Sequence, residues 1–226
     1  RTGELQPNLP EPPRRYYWRS VTYDRYTGRG WATSQTETTD YEAEEQAVSP
    51  DAPSHQVVRQ NVQVLGDLGE LVHAAGDLVT LDHDYSVAWR SEGDLFGVTS
   101  EATTYRAESL VTAVGEEQLR AAGTDYPQWV INRYLALPEE VPDRVLALAR
   151  ELTTPEPTAY DRALAIESYL REFPYTLDVP LPPLERDIAD YFLFDLQEGY
   201  CDYYATSMVV LARAAGLPAR MAIGYA

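Results

Sequence analysis

From Val58 the chain alternates with period two. Val58, Val62 and Val64 share one face, and Arg59, Asn61 and Gln63 the other, the pattern of a half-buried strand. Short runs of strand-like character follow at 70–74, 78–81, 85–90, 95–99 and 104–114. In the last, Tyr105, Ala107, Ser109 and Val111 alternate with Arg106, Glu108 and Leu110, and Gly66, Gly69, Gly76 and Gly93 punctuate the runs. Upstream, the aromatic and β-branched run Tyr16–Tyr23 predicts a further strand. Thr27-Gly28 and Arg29-Gly30 predict a turn, with Trp31 packing back. Pro7, Pro10, Pro12 and Pro13 forbid helix in residues 1–15, which read as an extended leader. Strands at this spacing predict a small antiparallel β domain over 16–115.

The period changes to that of helices in the second half. Val145, Leu148, Ala149 and Leu152 recur at helical spacing behind Pro142, and TTPEPT (153–158) breaks that helix. Ala163, Ile166, Leu170 and Phe173 mark a second helix ended by Pro174, followed by an extended, proline-studded stretch to Pro183. A third helix begins at Tyr200 or Cys201, with Ala205, Met208, Val209, Ala212 and Ala215 as its inner face and Gly216 and Pro218 as its stop. RMAIGYA then starts a strand, and the sequence ends inside it, which predicts an open sheet edge. The expected fold class is α+β, with a β-rich domain at 16–115 and a helical core at 116–226. Residues 35–55, with six acids and no base, are expected to be a solvated, mobile loop.

Composition narrows the function. The 226 residues hold 18 basic and 36 acidic side chains, for a formal charge of −18. That balance argues against nucleic acid and anionic membrane as partners. No apolar run reaches the roughly 18 residues of a membrane helix. One cysteine can form neither an internal disulfide nor a Cys-rich zinc site, and the acids follow no calcium-loop spacing, so no metal and no cofactor is expected. The opening RTGELQPN has no Met and no signal-peptide core, and reads as a segment of something longer. Every cation is arginine, so the chain offers no lysine amine to acyl-transfer chemistry.

Cys201 carries the strongest claim to chemistry. At a helix start, unpaired N–H groups and the helix dipole favour a thiolate and can bind an oxyanion. A lone cysteine there is usually a small buried hydrophobe, and a nucleophile needs a histidine and a group to orient it. His55, His73 and His83 all lie in the β-rich part. Asp82-His83-Asp84 is read as strand, which would send successive side chains to opposite faces and unmake a ligand set. Tyr200, Tyr203 and Tyr204 can line a cleft or pack in the core. Arg213 and Arg220 are expected to pair with carboxylates, and Gln197 is a weak candidate oxyanion donor.

The stretch GYCDYYATSMVVLARAAGLPARMAIGY resembles the nucleophile motif of the bacterial transglutaminase-like superfamily. Gly199, Cys201, Tyr204, Ala205, Ala212, Arg213, Gly216, Leu217, Pro218, Arg220, Gly224 and Tyr225 fit it. LTTPEPTAYDRALAIESYLREFPYTLDVP resembles the two-helix approach to that motif. YYWRSVTYDRYTGRGW and the β-rich segment resemble the extracytoplasmic region of a membrane-anchored subgroup. The resemblance implies a papain-like Cys-His-Asp triad in which Cys201 attacks a Gln carboxamide or a peptide bond of a protein or peptide substrate and forms a thioester. Water or an amine would resolve it, as in a hydrolase or an acyltransferase. It also implies an extracytoplasmic location, with membrane contact only through segments of a parent chain. The family's His and Asp lie downstream of the cysteine, but no histidine follows Cys201 here and Asp202 is the only acid after it. The chain is therefore expected to be truncated before the base and inert alone. The competing reading is an envelope-associated binding or assembly module on a non-catalytic papain-like scaffold.

Overall fold

The computed structural model describes residues 16–66 and 69–225. The expected leader at 1–15 lies outside them. The strand-rich half builds two antiparallel sheets. In the first, β1 (Trp18–Tyr23) lies beside β9 (Asp94–Thr99), which pairs with β8 (Tyr85–Ser91), which pairs with β4 (Glu37–Tyr41). In the second, β5 (His55–Gln63) and β7 (Asp77–Leu81) flank β10 (Thr104–Thr112). The β5–β10 register runs unbroken from Thr104 opposite Gln63 to Thr112 opposite His55. Period-two sequence is what fixes such a register, because a one-residue slip would turn Tyr105 and Ala107 out of the core. Three short strands complete this half: β2 (Arg25–Tyr26) paired with β3 (Trp31–Ala32), and β6 (Ala74–Ala75) beside β1. Val79, Leu81 and Val87 are fully buried between these elements.

β4 lies inside the segment expected to be a mobile loop. It pairs along its whole length with β8, from Glu37 opposite Trp89 to Tyr41 opposite Tyr85. Its first four residues are exposed and polar. An edge strand exposed on both faces shows no hydrophobic period, and its stability comes from the ladder and from Tyr41 stacking on Tyr85 at 5.1 Å.

The second half is helical: α1 (Glu116–Ala121), α2 (Gln128–Tyr134), α3 (Asp143–Thr153), α4 (Ala159–Leu170), α5 (Ile188–Tyr191) with a π turn at Phe192–Leu196, and α6 (Cys201–Ala214). α3 follows Pro142, and α4 is capped by Thr158, whose hydroxyl accepts from the Asp161 N–H at 3.1 Å. Val145, Ala149, Ile166, Leu170, Phe192 and Leu211 bury one core between these helices. Sequence periodicity misses α1 and α2, which are short and mostly exposed, and α5 with its π turn, too brief to show a period.

β11 (Met221–Tyr225) follows α6 and returns to pair antiparallel with β1, at the end of the first sheet. The helical core and the strand-rich half therefore share backbone hydrogen bonds. A buried charge network joins them as well. Asp94 receives Arg90 (Nη2–Oδ1 2.8 Å), the Tyr134 hydroxyl (2.5 Å), Arg133 and Arg220 (3.4 Å). Both Arg90 and Asp94 side chains are inaccessible to solvent. Arg90 also donates to the Thr22 carbonyl at 2.6 Å, so β1, β8, β9, α2 and the residue before β11 meet at one point.

Candidate functional site

α6 is held from both sides. Tyr203, Thr206, Ser207 and the run Val209 through Arg213 are all buried, because α3, α4 and α5 pack around the helix. The expected inner stripe is therefore too narrow: Ala205, Met208 and Ala215 are only half-buried, and polar Thr206 and Ser207 lie inside. Thr206 is satisfied by the Trp31 indole N–H at 3.0 Å. Gly216 takes φ +79°, where the Gly216 N–H reaches the Arg213 carbonyl (3.0 Å) and the Leu217 N–H reaches that of Ala212 (2.8 Å). This is a Schellman stop that a residue with a Cβ would strain.

Arg213 lies near the helix end and ties three segments together. Its guanidinium donates to the carbonyls of Ala219, Ala136 and Asp24, each at 2.8 Å, and lies over the Trp31 ring. It was expected to pair with a carboxylate and bonds instead to backbone. Burial brings it down to about 10, so it stays charged at neutral pH. Arg220 does meet a carboxylate, that of Asp94.

Cys201 is the first residue of α6 and is exposed. The turn ahead of it is built on a close approach. A Cβ on Gly199 would lie 3.0 Å from Tyr203 and 3.3 Å from Phe192, so glycine lets the chain pass over the stacked Phe192–Tyr203 pair. Across the turn runs the segment after α4. The Gly199 N–H donates to the Pro174 carbonyl (3.1 Å), and the Thr176 N–H to the Gly199 carbonyl (2.7 Å), in a parallel bridge between Tyr175 and Gly199. The Tyr204 hydroxyl lies at 2.7 Å from the Phe173 carbonyl and 2.9 Å from that of Pro174, and its ring stacks on Tyr175. The 173–176 strap is thus pinned against the turn that leads into Cys201 and against Tyr204. Beyond it Leu177, Leu181 and Leu184 stand in solvent.

The Cys201 S–H donates to the Asp202 carboxylate at 3.4 Å. Desolvation and this carboxylate push the thiol up, while the Asp202 N–H and the Tyr175 hydroxyl pull it back down only in part. The balance favours S–H, and the thiolate expected from the helix terminus is opposed by desolvation first and by the acid beside it second. Asp202 and Tyr175 are the neighbours that sequence reasoning missed. Asp202 adjoins the cysteine, but nothing in a sequence says which way a first-turn carboxylate points. Tyr175 arrives only through a tertiary bridge.

The remaining candidates are placed elsewhere. Gln197, in the left-handed region at φ +54°, donates its side-chain amide to the Leu193 carbonyl at 3.4 Å, back along the π turn. Tyr203 is core, Tyr204 holds the strap, and Tyr200 packs edge-on against Tyr203 at 5.1 Å. His55 and His73 bond to backbone carbonyls, of Pro53 and Leu71. His83 pairs with Asp82 in the turn between β7 and β8, rather than in a strand. Among the described residues no histidine is hydrogen-bonded to Cys201.

A strand-rich part joined to a helical core, with an exposed cysteine opening a buried central helix and a strand returning behind it, defines a mixed α+β scaffold. Residues 146–226 match the family model of the transglutaminase-like superfamily. The chain is 29% identical over 238 residues to YebA, an uncharacterised protein of Bacillus subtilis (strain 168), covering 93% of this chain and 31% of that protein. It is 29% identical over 217 residues to a protein-glutamine gamma-glutamyltransferase of Pseudomonas aeruginosa PAO1, covering 95% of this chain and 30% of that one. The chain thus spans about a third of the length of these relatives. Among solved structures it matches the periplasmic domain of TgpA from Pseudomonas aeruginosa, with TM-score 0.65 and 25% identity over 97% of this chain and 72% of that one. The ethylmercury-bound form of the same domain matches with TM-score 0.62 and 25% identity over 94% of this chain and 71% of that one.

Proposed function

We propose that this chain supplies the nucleophile of a transglutaminase-like cysteine enzyme acting on amide bonds of protein or peptide substrates. The observation that carries the reading is Cys201, exposed at the first position of a helix whose other residues are largely buried. In the reaction Cys201 Sγ bonds to the carboxamide carbon of a glutamine, the C–N bond breaks, and the thiol proton leaves on ammonia. A primary amine then attacks the thioester carbon to form a new amide, or water attacks to give the acid, and the thiol is restored. N–H groups of the first turn, which an α-helix leaves without intrahelical partners, are the candidate donors to the oxyanion.

The proposed organisation is a β-rich unit over 16–115 and a transglutaminase-like core over 116–226. We place the chain on the extracytoplasmic face of a bacterial membrane, a reading supported by the match to a periplasmic domain. Among the described residues no helix is long and apolar enough to cross a membrane, so any anchor would come from other segments. The three histidines hold other partners, so this chain alone is expected to be inert. A missing general base typically removes about 10²–10⁴-fold in rate.

The test uses the polypeptide that carries this chain at the full length seen in its relatives. A labelled primary amine incorporated into a glutamine-containing protein, and lost in Cys201→Ala, supports a transferase. Ammonia release or peptide cleavage with the same dependence supports a hydrolase. Equal inactivity of both proteins overturns the enzyme reading in favour of a binding or assembly module.

A further inference from the structure

β4 is the outer strand of the first sheet, at the end opposite β11. Among the described residues it pairs with β8 alone. Alternate residues along it therefore turn their N–H and C=O groups to open solvent. Glu37, Thr38, Thr39 and Asp40 are all exposed, so the edge is covered from neither face. A groove borders each face, divided by the pleat of the strand. One, of about 650 Å³, lies on the side of Glu37 and Thr39 and is also lined by Gln35, Trp89 and Glu92. The other, of about 1090 Å³, lies on the side of Asp40 and is also lined by Glu42 and Asp84. None of these carboxylates is in an ion pair among the described residues. The cations around them are engaged elsewhere, Arg90 with Asp94, and His83 and Arg106 with Asp82. Asp40 and Asp84 accept from neutral donors, the Ser86 hydroxyl at 2.6 Å and the Ala43 N–H at 2.9 Å.

We propose that the free edge of β4 docks an extended basic polypeptide segment, which adds to the sheet as a further strand and lays lysine or arginine side chains alternately into the two grooves. Main-chain hydrogen bonds along an open edge are available to any strand, and the charges choose among partners. A second copy of β4 would set Glu37 and Asp40 against their own kind, and like charges facing each other across a ladder are destabilising. The acids that keep copies apart thus leave the edge open to a strand of opposite charge. Successive side chains of an added strand point to opposite faces. Here both faces meet carboxylate, so consecutive basic residues are accommodated. Trp89, half-buried in the first groove, adds an aromatic surface of the kind that attracts cations. The formal charge of −18 steers such a segment toward the protein from a distance.

Docking at β4 does not depend on the thioester chemistry above, and its test needs no turnover. A fluorescein-labelled, end-capped peptide with a run of lysines flanked by threonines, long enough to span β4, is titrated at low salt into the polypeptide that carries this chain. Fluorescence anisotropy reads binding, and hydrogen exchange with mass spectrometry locates it. The lysine peptide is expected to bind and to slow exchange at 37–41, while its glutamate counterpart does not bind. N-methylation at every lysine keeps the charge and removes the backbone donors, and should weaken binding about tenfold or more. The double variant Glu37→Gln, Asp40→Asn should weaken it about three- to tenfold. Glu117→Gln, exposed on α1, should leave it unchanged. Unchanged circular dichroism confirms that the variants are folded. Absence of binding overturns the proposal, as does protection that falls outside 37–41. Equal binding of the N-methylated peptide overturns strand addition in favour of charge adhesion alone. Protection at 37–41 that rises with protein concentration in the absence of peptide overturns it in favour of a second copy.

Discussion

Asp94 is the residue whose loss should cost the fold most. Its carboxylate is inaccessible to solvent, as is the Arg90 side chain it faces. It receives Arg90 Nη2 at 2.8 Å, Arg90 Nε at 3.2 Å and the Tyr134 hydroxyl at 2.5 Å, with Arg133 and Arg220 completing the cluster. Asp94→Asn keeps the shape and removes the charge. Whichever way the amide turns, its NH₂ meets groups that donate, and Arg90 is left with Asp24 as a nearby counter-charge. Breaking a buried pair from one side costs about 3–5 kcal/mol, a large share of a typical total of about 5–15 kcal/mol. At about 2–4 °C per kcal/mol for a chain of this size, the melting temperature should fall by about 6–20 °C. The wild type carries a pH signature too. Burial opposes ionisation, but Arg90, Tyr134 and Arg133 together hold the Asp94 carboxyl below its ordinary range. A depressed carboxylate stabilises the fold above its unfolded pKa, about 3.9, and loses that contribution as pH falls through the folded value. Urea denaturation at pH 7 and across the acid range measures both effects. A loss under about 1 kcal/mol at pH 7, with the acid limb of the variant unchanged from wild type, would refute the reasoning.

Two further substitutions test the platform under the thiol. Gly199→Ala inserts a Cβ 3.0 Å from Tyr203 and 3.3 Å from Phe192. Crowding of this kind costs about 1–3 kcal/mol and should displace the start of α6, read as a lowered melting temperature together with an altered Cys201 alkylation rate. Tyr204→Phe removes the hydroxyl that holds the Phe173 and Pro174 carbonyls. The expected loss is about 1 kcal/mol, with faster proteolytic cleavage in the 175–186 segment and little change elsewhere.

The legible parts of the fold were those whose burial is one-sided and long. β5 and β10 announce themselves because one face of each meets a core. α3, α4 and α6 do so because apolar residues recur on the turn, and Gly216 marks a stop that its left-handed backbone demands. Local chemistry alone also places Cys201 at a helix start. Three other features depend on neighbours that arrive from far along the chain. β4 is a strand only because β8 offers it a ladder. The inward turn of Thr206 depends on the Trp31 indole. Arg213 serves backbone carbonyls rather than carboxylates because three chain segments converge on it. The state of the thiol belongs to this second kind. A helix terminus and a cysteine lead to the expectation of a thiolate, and the sequence by itself goes no further. Whether the sulfur keeps its proton depends on where the Asp202 carboxylate points and on a tyrosine brought in by the strap, because charge–charge and hydrogen-bond energies are set by distance in space and not by spacing along the chain.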